Sequence, residues 1–252
     1  AIEKYVRPET VAEAIGAIGC FAAGEAIFLA GGQSVMQAVK TRLLRPRCVV
    51  DLQSVKELKG VSVGVSGVTI GSMTPYAALA QETSLDGAYQ AVRDAAARVG
   101  DRQVRNRGTI GGSICWNYVA ACMPAVALSL GMEMALKGKG GARNLPAHEF
   151  LGSPLETARE DEEILVSLNL PTALANTGSA YKKWGLVTDA LPVVGVCASI
   201  TTDGSGNCAS ARIAVGGLGE GPRRSSAAES ALVNVSVDDL DGIARALQVG
   251  SD

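Results

Sequence analysis

Residues 26–45 read AIFLAGGQSVMQAVKTRLLR. Ile27, Phe28 and Leu29 form a short apolar run of the kind that makes a buried strand. Ala30, Gly31 and Gly32 follow, then the polar pair Gln33 and Ser34. From Val35 the spacing turns helical: Val35, Met36, Val39, Leu43 and Leu44 fall close to one stripe, with Lys40 and Arg42 off it. The reading is strand, glycine turn, helix, with Ser34 at the N-cap and Pro46 as the stop. Such a junction gathers unpaired backbone N–H groups at the positive end of a helix. Glycines without a Cβ let a ligand approach the backbone, which suits a phosphate or diphosphate. The pattern is neither G-x-G-x-x-G nor G-x-x-x-x-G-K-[ST], and Gly-Gly between a strand and a helix is, alone, more often a plain turn.

A second pair changes the balance. Residues 105–114 read RNRGTIGGSI, with Thr109 before Gly111 and Gly112 and Ser113 after them. This stretch is expected to be a loop, and Arg102, Arg105 and Arg107 stand just upstream as candidates to neutralise a diphosphate. Two such turns, about 80 residues apart, predict one dinucleotide held from two sides.

These motifs carry a family resemblance. AGGQS at 30–34, a helix running into LLRPRCVVDL at 43–52, and VRNRGTIGGSI at 104–114 resemble the FAD-binding medium subunit of the molybdenum hydroxylases, which include carbon monoxide dehydrogenase, xanthine dehydrogenase and quinoline or nicotine hydroxylases. The resemblance runs from Tyr5 to about Gly217. It implies an α+β fold: a two-lobed FAD-binding domain of the vanillyl-alcohol-oxidase-like (PCMH-type) class over residues 1–172, its lobes parting near 53–60. A smaller, shortened α+β domain over 177–252 would follow. By resemblance, Ala30, Gly31, Gly32, Gln33, Ser34 and Val35, with Thr109, Gly111, Gly112 and Ser113, would wrap the FAD pyrophosphate with N–H groups and hydroxyls. Leu165 and Lys182, with Lys183 as the alternative, would lie near the isoalloxazine ring. Ser113 stands where the family often has Asn, and Tyr118 and Cys122 stand where it commonly carries aspartates. The implied role is electron transfer from a small [2Fe-2S] subunit to an external acceptor, beside a large molybdenum-cofactor subunit, in a dimer of heterotrimers. A stand-alone FAD oxidoreductase, or a scaffold subunit without flavin, are the alternatives.

Composition narrows the field. Net charge is −2 with no basic block, so nucleic acid is not expected as a partner. No apolar run reaches the roughly 18 residues of a membrane span, and no signal peptide is visible; a cytoplasmic protein is expected. The six cysteines form no C-x-x-C pair, so no zinc or iron–sulfur ligand set is read in this chain. His148 is the only histidine, which excludes a multi-histidine metal site. No catalytic residue and no metal ligand is assigned.

Along the chain, Thr10 with Glu13 predicts a capped helix. Residues 58–72 alternate as a hairpin around Gly64 and Gly67. Helices are expected at 76–81, 89–99 and 123–130, strands at 132–136 and 163–170, and a linker at 171–178. Beyond it two strands joined by TDGSGN, then helices at 225–233 and 237–249, predict a sheet with helices.

Overall fold

In the computed structural model, which describes residues 2–249, the N-terminal lobe comprises β1 (Lys4–Val6), α1 (Val11–Ile18), β2 (Ala26–Leu29), α2 (Val35–Lys40) and β3 (Cys48–Asp51). Its three strands run parallel in the order β1-β3-β2. The central strand β3 is buried at every position, as expected for a strand covered on both faces. The helix α1 starts at a capping arrangement: the Thr10 hydroxyl accepts the Glu13 N–H at 3.2 Å, and the Glu13 carboxylate accepts the Glu9 N–H at 2.9 Å. Its buried face, Val11, Ala14, Ile15 and Ile18, follows the helical period and packs with Cys48, Val50 and Leu52.

The helix after the first glycine turn is shorter than its spacing predicts. It ends at Lys40; Arg42 takes a left-handed φ of 62°, and the Leu44 N–H donates back to the Ala38 carbonyl at 3.1 Å. The apolar stripe continues past the helix because Leu43 and Leu44 line a cleft instead of the lobe's core. Nor does Ser34 cap the helix: its backbone is already helical and its hydroxyl makes no cap bond.

The second lobe comprises β4 (Val61–Gly64), β5 (Gly67–Gly71), α3 (Tyr76–Leu79), α4 (Gln90–Ala97), α5 (Arg102–Arg107), α6 (Ile110–Trp116), α7 (Cys122–Leu130), β6 (Glu133–Gly138), β7 (Gly141–Pro146), α8 (Ala147–Phe150) and β8 (Ile164–Pro171). Its five strands are antiparallel in the order β4-β5-β8-β6-β7. The expected loop over 102–113 is instead two helices, α5 and the start of α6. They are separated at Gly108 and Thr109, and Asp101 and Thr109 cap them by accepting the Val104 and Gly112 N–H groups at 2.7 and 3.1 Å. Glycines discourage a helix, but here two caps and tight packing override that preference.

The C-terminal part comprises β9 (Thr177–Trp184), β10 (Val194–Thr202), β11 (Cys208–Gly216), β12 (Arg223–Arg224), α9 (Ser226–Leu232) and α10 (Leu240–Val249). Its antiparallel sheet has the order β12-β11-β10-β9. The helix α10 begins three residues later than the spacing suggests, and the last residues of the expected 177–252 region lie outside the described ones. The helix α7 is buried all round, as a helix apolar on every face must be. It lies between the second lobe and this sheet, so that Tyr181, Cys197 and Ala214 share one core with Ile110, Val126 and Phe150. The whole is an α+β fold.

Candidate functional site: a cleft closed by two diglycine bends

The two bends meet. A Cβ placed on Gly31 would lie 2.0 Å from the Arg107 carbonyl oxygen and 2.9 Å from Gly108 Cα, and one on Gly112 would lie 3.4 Å from Ala30 Cβ. Gly111 is equally pressed, its Cβ falling 2.5 Å from Ser72 Cβ. Glycine is required at Gly31 and Gly111 by backbone-to-backbone approach, and Gly32 by its positive φ of 77°. Across the bends opens a cleft of about 680 Å³, within the range of small-molecule and cofactor sites, roughly 300–1,000 Å³. Ala30, Gly31, Gly32, Gln33, Ser34, Val35, Thr109, Gly111, Gly112, Ser113 and Leu165 all line it.

The two bends offer different chemistry. The backbone N–H groups of Gly31, Gly32, Gln33 and Ser34 donate to no group among the described residues, which leaves a run of orphan donors of the kind an anion satisfies. At the second bend the expected N–H donors are already used: Ile110 donates to the Thr74 carbonyl at 3.2 Å, Gly111 to Ser72 at 2.9 Å, Gly112 to the Thr109 hydroxyl, and Ser113 to the Thr109 carbonyl at 3.2 Å. That bend supplies close approach and hydroxyls, not backbone donors.

The expected cations are elsewhere. Arg102, Arg105 and Arg107 do not line the cleft; Arg105 instead donates to the Val99 and Gly100 carbonyls at 3.2 and 2.6 Å. Lys182 does not line the cleft either. It is exposed, on the strand face opposite the buried Tyr181, because side chains alternate along β9. Lys183, one residue on, lines the cleft. Its ammonium donates to the carbonyls of Arg98 at 2.8 Å, Thr188 at 3.2 Å and Ala190 at 2.5 Å, tying the loop after β9 to the end of α4. Arg159, which the sequence reading passed over within the charge run at 159–163, also lines the cleft.

The wall beneath Leu165 is firmly held. The Glu163 side chain, 9% exposed, pairs with Arg143 through two contacts of 2.7 Å and accepts the Glu160 N–H at 2.8 Å. Hydrogen bonds from Arg143 hold the Glu163 carboxyl below the usual carboxylate range despite its burial. Cys115 and Cys122 also border the cleft; burial pushes the Cys115 thiol up to about 11 and raises Cys122 as well, so neither is a thiolate at neutral pH. Among the described residues no group of three or more His, Cys, Asp or Glu is placed to hold a metal, and no helix is long and apolar enough to cross a membrane.

Two glycine bends meeting at one cleft between a parallel lobe and an antiparallel lobe define a protein built to hold an anionic cofactor. Residues 1–173 match the family model of the FAD binding domain in molybdopterin dehydrogenase, and residues 179–249 that of the CO dehydrogenase flavoprotein C-terminal domain. The chain belongs to this family of FAD-binding subunits of molybdopterin dehydrogenases. It is 33% identical over 180 residues to the carbon monoxide dehydrogenase medium chain of Hydrogenophaga pseudoflava, a match covering 71% of this chain and 62% of that one. It is 30% identical over 230 residues to the 6-hydroxypseudooxynicotine dehydrogenase complex subunit alpha of Paenarthrobacter nicotinovorans, covering 90% and 78%. Among solved structures, carbon monoxide dehydrogenase from Hydrogenophaga pseudoflava superposes with a TM-score of 0.90 at 30% identity, covering 98% of this chain and 86% of the other. Quinoline 2-oxidoreductase from Pseudomonas putida 86 gives 0.90 at 27%, covering 99% and 85%.

Proposed function

We propose that this chain is the FAD-carrying electron-transfer subunit of a multi-subunit molybdenum hydroxylase or dehydrogenase. It would take electrons from a [2Fe-2S] subunit and deliver them to an external acceptor, in a cytoplasmic dimer of heterotrimers whose large subunit carries the molybdenum cofactor. One observation supports the reading above others: the two diglycine bends close on each other over a single cleft, and the N–H groups of the first bend have no partner among the described residues.

The residues fit FAD. Gly31 to Ser34 would donate backbone N–H groups to the diphosphate, and the Ser34, Thr109 and Ser113 hydroxyls would add to the grip. Each anion contact at a helix start contributes about 0.3–1 kcal/mol when exposed and more when dry, so several together retain the cofactor. Ile164 and Leu165, buried at the start of β8, would press on the ring and exclude water. Lys183 would hold the neighbouring loop shut. When bound, a flavin exchanges electrons singly or in pairs with its partners. This chain supplies the binding, the orientation and the local charge.

Purification under non-denaturing conditions tests the reading. A yellow protein with flavin absorption, co-purifying with chains that contain molybdenum and iron, is the expected result. A colourless complex that takes up no FAD would refute it, and a flavin-loaded single chain that oxidises its own substrate would replace it with a stand-alone oxidoreductase.

A further inference from the structure

We propose that Arg159 is a fixed cation of the cleft that acts on the cofactor: its guanidinium stands beside the ring system of the bound flavin and favours the reduced, more electron-rich form. The proposal rests on the FAD reading above.

Three observations carry it. First, Arg159 is held in place by the loop that contains it. Its Nη1 donates to the backbone carbonyls of Glu160, Asp161 and Glu163 at 2.7, 3.2 and 2.9 Å. The Arg143–Glu163 pair anchors that loop from the sheet, and Arg143 also donates to the Ala158 carbonyl at 2.7 Å. A guanidinium fixed this way loses little further freedom when a ligand arrives. Second, its guanidinium is not tied into an ion pair. Arg159 makes no ion pair among the described residues, and its Nε and Nη2 have no acceptor among them, although it lines the cleft. Glu163 is neutralised by Arg143, which leaves the exposed Asp161 as the nearby lining carboxylate. Third, Arg159 stands at the start of β8: its bond to the Glu163 carbonyl puts the guanidinium next to Ile164 and Leu165, the residues that the FAD reading sets against the ring. Its positive charge acts on Cys115, opposing the rise that burial imposes on that thiol. Trp116, Tyr118, Ile164 and Leu165 line the cleft with it; this apolar, aromatic wall suits a flat ring and not a diphosphate.

A cation there stabilises added negative charge and leaves the oxidised, neutral ring nearly untouched. Replacing Arg159 should therefore change the ratio of reduced to oxidised affinity more than the affinity itself. The test uses the full chain loaded with FAD. FAD dissociation is followed by flavin fluorescence, and the midpoint potential by equilibration with reference dyes. Arg159→Gln should lower the preference for reduced flavin about tenfold, equal to ~30 mV in the two-electron potential, with oxidised FAD binding within about threefold of the parent. Arg159→Lys, which keeps the charge, should recover most of the shift. Asp161→Asn, which leaves every Arg159 contact in place, should raise the potential, and it carries the comparison if Arg159→Gln holds flavin poorly. An unmoved potential in Arg159→Gln, an equal drop in Arg159→Lys, or no rise in Asp161→Asn would overturn the proposal while leaving the FAD reading intact. A parent chain that binds no FAD would overturn both.

Discussion

Gly31→Ala is the sharpest test of the two-bend cleft. The new methyl would sit 2.0 Å from the Arg107 carbonyl oxygen, 2.7 Å from its carbon and 2.9 Å from Gly108 Cα. All three are backbone atoms, so no side chain can rotate away. The bends must part by more than an ångström to reach ordinary contact. Overpacking of this kind costs about 1–3 kcal/mol. The displaced atoms border the cleft, so the same opening should spoil the phosphate grip; a loss of 1.4 kcal/mol in binding is a tenfold weaker Kd. Gly31→Ala should therefore lose about 1–3 kcal/mol in urea unfolding and bind FAD at least about tenfold more weakly. Gly16→Ala is the matched control: it lies inside α1 with nothing within 4 Å of its Cβ position and should gain about 0.5–1 kcal/mol with FAD binding unchanged. A Gly31→Ala chain that matched the parent in both unfolding and FAD titration would show that the bends do not touch as described.

Thr109→Val removes the hydroxyl that caps α6 while keeping its shape; unfolding should show a loss of about 0.5–2 kcal/mol. Glu163→Gln removes one partner of a largely buried pair and should cost about 1–3 kcal/mol near neutral pH. The Glu163 carboxyl is held below its ordinary 4.5, so its contribution is present above that value and is lost as pH falls through the lower, folded one. The parent should lose stability more steeply than Glu163→Gln on acidification below about pH 4.5, and parallel acid-unfolding curves would contradict this. Lys183→Met should loosen the loop over residues 185–192, read as faster amide exchange at Thr188 and Ala190, whereas Lys182→Met, on the outer face of β9, should leave exchange there unaltered.

Period and chemistry made much of this protein legible in one dimension. The alternation around Gly64 and Gly67, the capped stripe of α1 and the strand and glycine turn at residues 26–34 are local patterns, and local backbone physics is enough to produce them; where α2 ends is not. The two diglycine motifs lie on one cleft because only glycine fits where backbones nearly touch. What stayed illegible depends on atoms far apart in sequence. Whether the Ile110 and Gly111 N–H groups are free or already donate to Thr74 and Ser72 is decided by the chain that follows β5, and the second bend, expected to be a source of donors, has none to spare. A shift of one residue along β9 moves a lysine from solvent to the cleft, and only pairing with β10, Tyr181↔Cys197 and Lys183↔Gly195, sets that register. Arg159 could not be singled out from its charged neighbours, because its place on the cleft exists only once α6 and the start of β8 line the same space. Sequence determined most of the elements and the place of the glycine turns; tertiary packing decided where α2 ends, made helices of residues 102–116, and set which donors, hydroxyls and cations are left over for a ligand.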